Sequence, residues 1–362
     1  MRAFMSHRPL IARTKVASRT LRHVGVCLAF AAQLSPALAA DTAQDARAWL
    51  ERMSRAMATN NYDGRFVHIV GGYTENMRII HRVDSGLVTE RLISLDGSGR
   101  ELVRNDSEVV CYLPDRRTVL VEKRTDKGSL LAAVPVYSEA LERHYILSSP
   151  GTYRVLGRPA QYIVVQPQDT LRYGYRLWID RETSMPLKSQ LADRDGRVLE
   201  QIVFTELSTP TEIDPALLKT SIVTDGYRWM RQETRPQRVS SAREGAGWVV
   251  VNPPQGFRLT VTRTQTISGA AAPVRHLVLS DGLVSVSVFI EPRQAGAQTE
   301  TPMKAELARV GAALAYSTDV ADHRVTAVGE VPAATLRAIA AAVHRDNGPS
   351  PGETAPPEAA AR

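Results

Sequence analysis

The hydrophobic positions of this chain follow two periods. Over residues 45–59, Ala46, Trp49, Leu50, Met53, Ala56 and Met57 recur at helical spacing, and Asn60-Asn61 closes the helix they predict. A period of two then takes over. Tyr62–Val70, Asn76–Val83, Leu87–Ser94, Arg100–Arg104, Glu108–Leu113 and Thr118–Glu122 each read as a short strand. Gly71-Gly72, Asp84-Ser85-Gly86, Asp96-Gly97, Asn105-Asp106-Ser107 and Pro114-Asp115 separate them. Closely spaced strands with turn residues between them predict an antiparallel sheet, not βαβ units. Arg and Glu at alternate positions leave one face solvated and the other buried.

Residues 128–150 interrupt this rhythm. Leu130, Leu131, Val134, Val136, Tyr137, Leu141, Tyr145 and Ile146 make them the most apolar connection in the chain, so helical turns lying against the open face of the sheet are expected. Strands resume at Tyr153–Leu156 and Gln161–Gln166. A three-strand meander then runs from Tyr173 to Gln201, with Asp195-Gly196 as its second reversal. Tyr173, Tyr175, Leu177 and Ile179 alternate there with Gly174, Arg176, Trp178 and Asp180. Asp214-Pro215 starts a short helix, with Asp as the cap.

The composition turns polar and basic from Thr224 to Gly247, which reads as an interdomain linker. A second, smaller domain follows. Its expected strands are Trp248–Val251, Arg258–Ile267, Val274–Leu279, Leu283–Glu291, Leu307–Ser317 and Arg324–Val328. Arg293–Thr301 reads as a flexible loop, Pro332–His344 as an Ala-rich helix, and the chain after Asn347 as a disordered tail. The expected division is 1–39 leader, 40–222 first domain, 223–247 linker, 248–346 second domain and 347–362 tail.

Charge and cysteine change the picture in one respect. The formal net charge is +7, but six basic residues and no acid lie in residues 1–40. Taking those six from the 45 Lys and Arg leaves 39 against 38 Asp and Glu, which removes the electrostatic case for nucleic-acid binding. The basic segment, the short apolar run Val24–Ala32 and Ala37-Leu38-Ala39 read as a cleaved secretory signal. Cys111 is then the remaining cysteine and reads as a small buried hydrophobe.

The chain carries none of the short motifs of nucleotide binding, zinc proteolysis or serine hydrolysis. No metal or other cofactor is predicted, and no enzymatic activity. His68 and His81 lie on adjacent expected strands and read as a satisfied pair. Asp193 and Asp195 belong to a turn, since Arg197, Val198 and Leu199 stand where calcium ligands would be needed. What remains is shape: a curved sheet with a leading helix and an apolar cover. The cover either completes the core or lines a hydrophobic pocket, and the pattern does not choose between them.

Several stretches together resemble the MucB/RseB family of periplasmic regulators of an envelope-stress sigma factor (sigma-E/AlgU type). In the first domain these are Leu95-Asp96-Gly97, Arg100–Arg104, Tyr175–Asp180, Met185-Pro186-Leu187, Asp193–Gly196 and Leu199-Glu200-Gln201. In the second they are Pro254–Phe257, Leu279–Leu283, Ser285–Val288 and Val328–Pro332. The resemblance implies a mainly antiparallel β (α+β) fold. The first domain would be a LolA/LolB-like half-open β-barrel with covering helices, followed by a smaller sheet-and-helix domain. It implies binding to the periplasmic domain of a RseA/MucA-like anti-sigma factor, protection of that factor from its site-1 protease, and release by lipopolysaccharide or lipoprotein acyl chains. A homodimer is compatible with it.

On that basis Phe66, Leu130, Leu131, Val134, Tyr137, Leu141, Tyr145 and Trp178 are expected to line a lipid cavity. Arg228, Arg231, Ser280, Asp281, Leu283 and Ser285 are expected to meet the partner. The rival readings are a lipoprotein or lipid carrier of the LolA type, which would need no second domain, and an exported hydrolase, for which no nucleophile and base stand together.

Overall fold

The computed structural model describes residues 36–97, 99–123, 129–131, 134–232, 247–265, 272–293 and 305–346. Residues 1–35 of the expected leader, residues 233–246 of the expected linker, the Arg293–Thr301 loop beyond Arg293 and the tail after Asn347 lie outside them. From Ala37 onward the chain forms one compact unit.

Helix α1 (Pro36–Thr59) begins upstream of the expected start at residue 45, because the Ala-rich stretch before it is a good helix former. Its apolar stripe is buried, with Ala46, Leu50 and Met53 almost inaccessible. Strands β1 (Tyr62–Val70), β2 (Tyr73–Asp84), β3 (Leu87–Ser94), β4 (Glu101–Arg104), β5 (Glu108–Leu113) and β6 (Thr118–Lys123) follow as antiparallel neighbours. A second meander comprises β7 (Tyr145–Val155), β8 (Arg158–Pro167), β9 (Gly174–Asp180), β10 (Pro186–Ala192) and β11 (Val198–Ser208). It closes back by pairing β11 with β1. β7 starts earlier than expected. Pro150-Gly151 reads in sequence as a break, but in the sheet it is an irregularity in register between Ser148 and Gly151, and pairing with β8 continues on both sides.

The stretch read as a linker also departs from expectation. Arg228–Gln232 forms strand β12, which pairs in parallel with β6. The twelve strands run in the order β12-β6-β5-β4-β3-β2-β1-β11-β10-β9-β8-β7. The two end strands do not pair with each other, so the sheet is open. The chain reaches β12 by crossing the outer face. Ile213 and Leu218, the latter ending a single 3-10 turn (Pro215–Leu218), cover Ile80 there. The Asp214 carboxylate caps that turn, accepting from the Ala216 amide at 2.8 Å. Ser221 then donates to Glu101, which is paired with the buried Arg91 at 2.8 Å. Burial pushes the Glu101 carboxyl upward, but hydrogen bonds from Arg91, Ser221 and Thr220 outweigh it and hold the group below its usual range.

In the second domain, β13 (Trp248–Val250) pairs with β20 (Val343–Arg345). Six strands form a separate antiparallel sheet in the order β14 (Arg258–Gln265), β15 (Val274–Ser280), β16 (Ser285–Pro292), β19 (His323–Gly329), β18 (Ala313–Val320) and β17 (Glu306–Val310). The single strand expected over Leu307–Ser317 is a hairpin, turned at Gly311-Ala312. Helix α2 (Ala333–Ala341) stops short of His344, because Val343–Arg345 are taken up in pairing with Trp248–Val250.

Two apolar cores result. One lies between α1, the first sheet and the cover; the other lies between the second sheet and α2. In the first, Phe204 is 1% exposed and its ring stands 5.4 Å from that of Phe66. Phe204→Ala should lower stability by roughly 3–5 kcal/mol. Urea denaturation measures this; a loss below about 1 kcal/mol would mean that this part of the core collapses around the void.

Candidate regulatory site at the domain junction

The cover is held by polar ties, not by strand pairing. At its start, Ser129 Oγ and the Leu130 amide donate to Glu90 at 2.7 and 2.9 Å. Glu90 is itself buried in an ion pair with Arg104 at 2.6 Å. At its middle, the Tyr137 amide donates to Ser54 Oγ of α1 at 2.9 Å. Tyr137 also donates to Glu142, and burial followed by that acid pushes its phenol up to about 12. A short 3-10 turn (Glu139–Arg143) then leads into β7.

Of the expected lipid-lining residues, Phe66, Leu131, Val134, Leu141 and Tyr145 are buried in one cluster with the α1 stripe. Leu130, Tyr137 and Trp178 are half-buried against it. Strand β9 turns Tyr175, Leu177 and Ile179 inward, and Trp178 alternates with them. Its ring lies 4.8 Å from Tyr162, with Lys188 Nζ 4.5 Å from its centroid. Desolvation there lowers the lysine's pKa.

The cover ends against the second domain. Arg172, just before β9, has a fully buried guanidinium. It pairs with Asp169 at 2.9 Å, donates to the Gln255 carbonyl at 2.7 Å and stands 2.9 Å from the equally buried Asp281. The last contact is an ion pair by distance, without a well-aligned N–H···O bond. Tyr145 donates to the same Asp281 carboxylate at 3.1 Å, and burial, then Asp281, raises its phenol pKa. The other Asp281 oxygen accepts from the Leu283 and Val284 amides, both at 2.9 Å, and so shapes the Ser280–Val284 turn. Rings of Tyr145 and Phe257 flank the guanidinium at 5.8 and 5.2 Å. Thr335 of α2 donates to the Leu171 carbonyl at 2.7 Å.

Two glycines let the domains approach. A Cβ at Gly282 would stand 2.8 Å from Ala140 Cβ, and one at Gly256 would stand 2.6 Å from the His144 ring. Both have positive φ, +101° and +87°, which side chains disfavour in any case. Ser138 Oγ donates to the Gly282 carbonyl at 3.2 Å. Leu283 packs against both cores.

The expected partner set is therefore divided. Asp281 is sealed inside the junction, and Leu283 is half-buried beside it. Ser280 is occupied by the Val284 carbonyl and the Gly282 amide, while Ser285 is exposed. Arg228 and Arg231 are exposed on β12, at the opposite end of the strand order from β7. Arg172 and Asp169 were not singled out in the sequence. Their signal is faint: a charged pair three residues apart, just before a strand.

A second polar group sits nearby. His68 and His81 do not meet, since His68 faces Glu75 across β1 and β2 while His81 faces Tyr62. His68 Nε2 lies 2.6 Å from Glu200. His81 is buried, stacked on Tyr62 at 4.5 Å. Glu330 of the second domain is pushed up to about 7, chiefly by burial and then by Glu200. Tyr175 lies buried within the field of both carboxylates, its phenol pKa raised first by burial. Cys111 is half-buried on β5 and unpaired, with its thiol pKa raised by burial. Among the described residues no cluster of three His, Cys, Asp or Glu could hold a metal ion, and no helix is long and apolar enough to cross a membrane.

Comparison with known proteins gives two domain matches: the MucB/RseB N-terminal domain over residues 45–222 and the MucB/RseB C-terminal domain over residues 242–344. The chain is 33% identical over 308 residues to the sigma factor AlgU regulatory protein MucB of Pseudomonas aeruginosa, covering 85% of this chain and 93% of that one. It is 27% identical over 299 residues to the sigma-E factor regulatory protein RseB of Escherichia coli K12, covering 81% and 88%. Among solved structures, it is similar to the P. aeruginosa MucA/MucB complex with a TM-score of 0.65 at 32% identity, over 84% of this chain and all of that one. For MucB in complex with MucA(peri) the TM-score is 0.64 at 31% identity, over 84% of this chain and 100% of that one. For a structure of MucB it is 0.56 at 30%, over 84% and 98%.

Arg172→Met, which leaves Asp281 buried without its cation, should cost roughly 3–5 kcal/mol. The double change Arg172→Met with Asp281→Asn should recover part of that, because the neutral pair needs no counter-charge. Equilibrium unfolding of the three proteins checks both; equal losses in the single and double variants would refute the pairing. Glu330 sets a pH dependence. Its pKa is raised in the folded protein, so its stabilising contribution is whole below the ordinary carboxylate range and is lost as pH rises through about 7. Glu330→Gln should flatten this slope and stabilise the protein at pH 8, as read from melting temperature against pH.

Proposed function

The chain belongs to the MucB/RseB family, and from that we propose that it is a periplasmic regulatory binding protein. It binds the periplasmic part of a membrane-anchored anti-sigma factor, shields it from site-1 proteolysis and lets it go when acyl chains of lipopolysaccharide or mislocalised lipoprotein enter the first domain. The names of the relatives describe regulation of a sigma factor, and two related structures hold MucA. The overall match is better to those two than to the structure of MucB, which favours reading the docked domains as the partner-holding arrangement.

The observation that carries the coupling is the cover's double attachment. Leu131, Val134, Leu141 and Tyr145 fill the hollow under α1, while Ser138, Ala140 and Tyr145 of the same segment hold the Ser280–Val284 turn of the second domain. An acyl chain entering that hollow displaces the cover, and the turn loses its seat. Each buried methylene contributes about 0.8 kcal/mol, so a few suffice for a typical coupling of roughly 1–3 kcal/mol. A ligand acts in this way only if it prefers the undocked arrangement.

A carrier of the LolA type is the second reading, and the same cover accommodates it. Transfer of an acylated protein to an acceptor would favour the carrier. The regulator predicts something else: purified protein slows cleavage of the anti-sigma factor by its protease, and lipid A fragments restore cleavage in proportion to dose. Protection that ignores lipid removes the sensing half; no protection removes the regulator.

A further inference from the structure

Three hairpin ends from the two domains meet away from the cover. The β1–β2 tip, Val70 to Tyr73, abuts the β17–β18 tip. A Cβ at Gly71 would stand 3.7 Å from the Gly311 carbonyl oxygen, and one at Gly311 would stand 3.5 Å from Val70 Cγ2. The β10–β11 turn joins them, since Arg309, Asp193 and Arg197 all act on the Tyr173 phenol. Apolar side chains are left in solvent here: Tyr73 is 81% exposed, Val310 67%, Leu307 44% and Val198 40%. Strand β17 is the last of the second sheet, all five of its residues are exposed, and its outer edge pairs with nothing among the described residues. An exposed strand edge beside an apolar patch is a template for another chain.

We propose that this edge is a docking surface for an extended segment of the partner, one that adds to β17 as a further strand. The inference rests on the function proposed above and names where that partner is held. Main-chain hydrogen bonds to β17 supply affinity; side chains of the segment on one face meet Val310, and those on the other meet Leu307 and Arg309, which alternation places together. The cations set its charge. Arg309 has no acidic partner among the described residues, and Arg197, though paired with Asp193 at 3.0 Å, is largely exposed. The segment therefore carries an acidic residue facing Arg309. Tyr73 and Val198 belong to the first domain and β17 to the second, so the surface is complete only while the domains are docked. Opening the Arg172–Asp281 junction divides it, which links loss of the partner to movement of the cover.

The test uses the full mature chain and the labelled periplasmic part of the anti-sigma factor in a fluorescence binding assay. Val310→Asp and Leu307→Asp should each weaken binding about tenfold or more, with melting temperature unchanged because both side chains are exposed. Tyr73→Ala, in the other domain, should weaken it as well. Arg309→Glu should weaken it, and a partner with the facing acid changed to Lys should recover it, which holds even if an Asp variant fails to fold. Wild-type binding retained in both Asp variants overturns the surface while leaving the function standing. Tighter binding after removal of residues 347–362 would assign the edge to the chain's own end and also overturn it. No binding by the wild type overturns the function itself.

Discussion

The arrangement of this protein depends on one buried charge pair. Arg172 and Asp281 are both out of water, and each comes from a different domain. A buried pair of this kind contributes little net stability, because desolvation cancels most of the attraction. Its strength is in what it forbids. Separating the domains with either charge still buried is costly, so the junction favours one register over slightly shifted ones. The surrounding partners sharpen this: Asp169 and the Gln255 carbonyl accept from Arg172, Tyr145 and two turn amides donate to Asp281, and few other arrangements satisfy both groups.

The cover draws its importance from that junction. It has no strand partners among its described residues before Tyr145, and is held by Glu90, Ser54 and Gly282. Its apolar side chains nevertheless complete the first core. A layer fixed by a few polar ties over a large apolar contact is the part of the domain that other apolar matter can replace at least cost. Because Tyr145 belongs both to that layer and to the Asp281 network, replacement is felt across the boundary.

A carboxylate pair, Glu200 and Glu330, lies across the same boundary, with His68 against the first. Its effect runs opposite to that of Arg172 and Asp281: it loosens docking when both acids are charged. The junction thus carries one buried attraction and one repulsion that grows as Glu330 ionises.

Much of this was legible in the chain. Alternation marked nearly every strand, Asp214-Pro215 marked its turn, and the stripe from Ala46 to Met57 marked α1, because these are local patterns with local causes. The same alternation already put Trp178 on the face opposite Tyr175 and Leu177. Other features depended on partners far away in sequence. Arg228–Gln232 looks like solvated linker and becomes a strand only because β6 offers an edge. Val343–Arg345 leaves its helix for the same reason. Asp281 reads as a polar turn residue, and only packing brings it to Arg172, more than a hundred positions earlier. Periodicity records which face a residue turns to water. It does not record which distant charge will be there when water is gone, and that was decided by the tertiary structure.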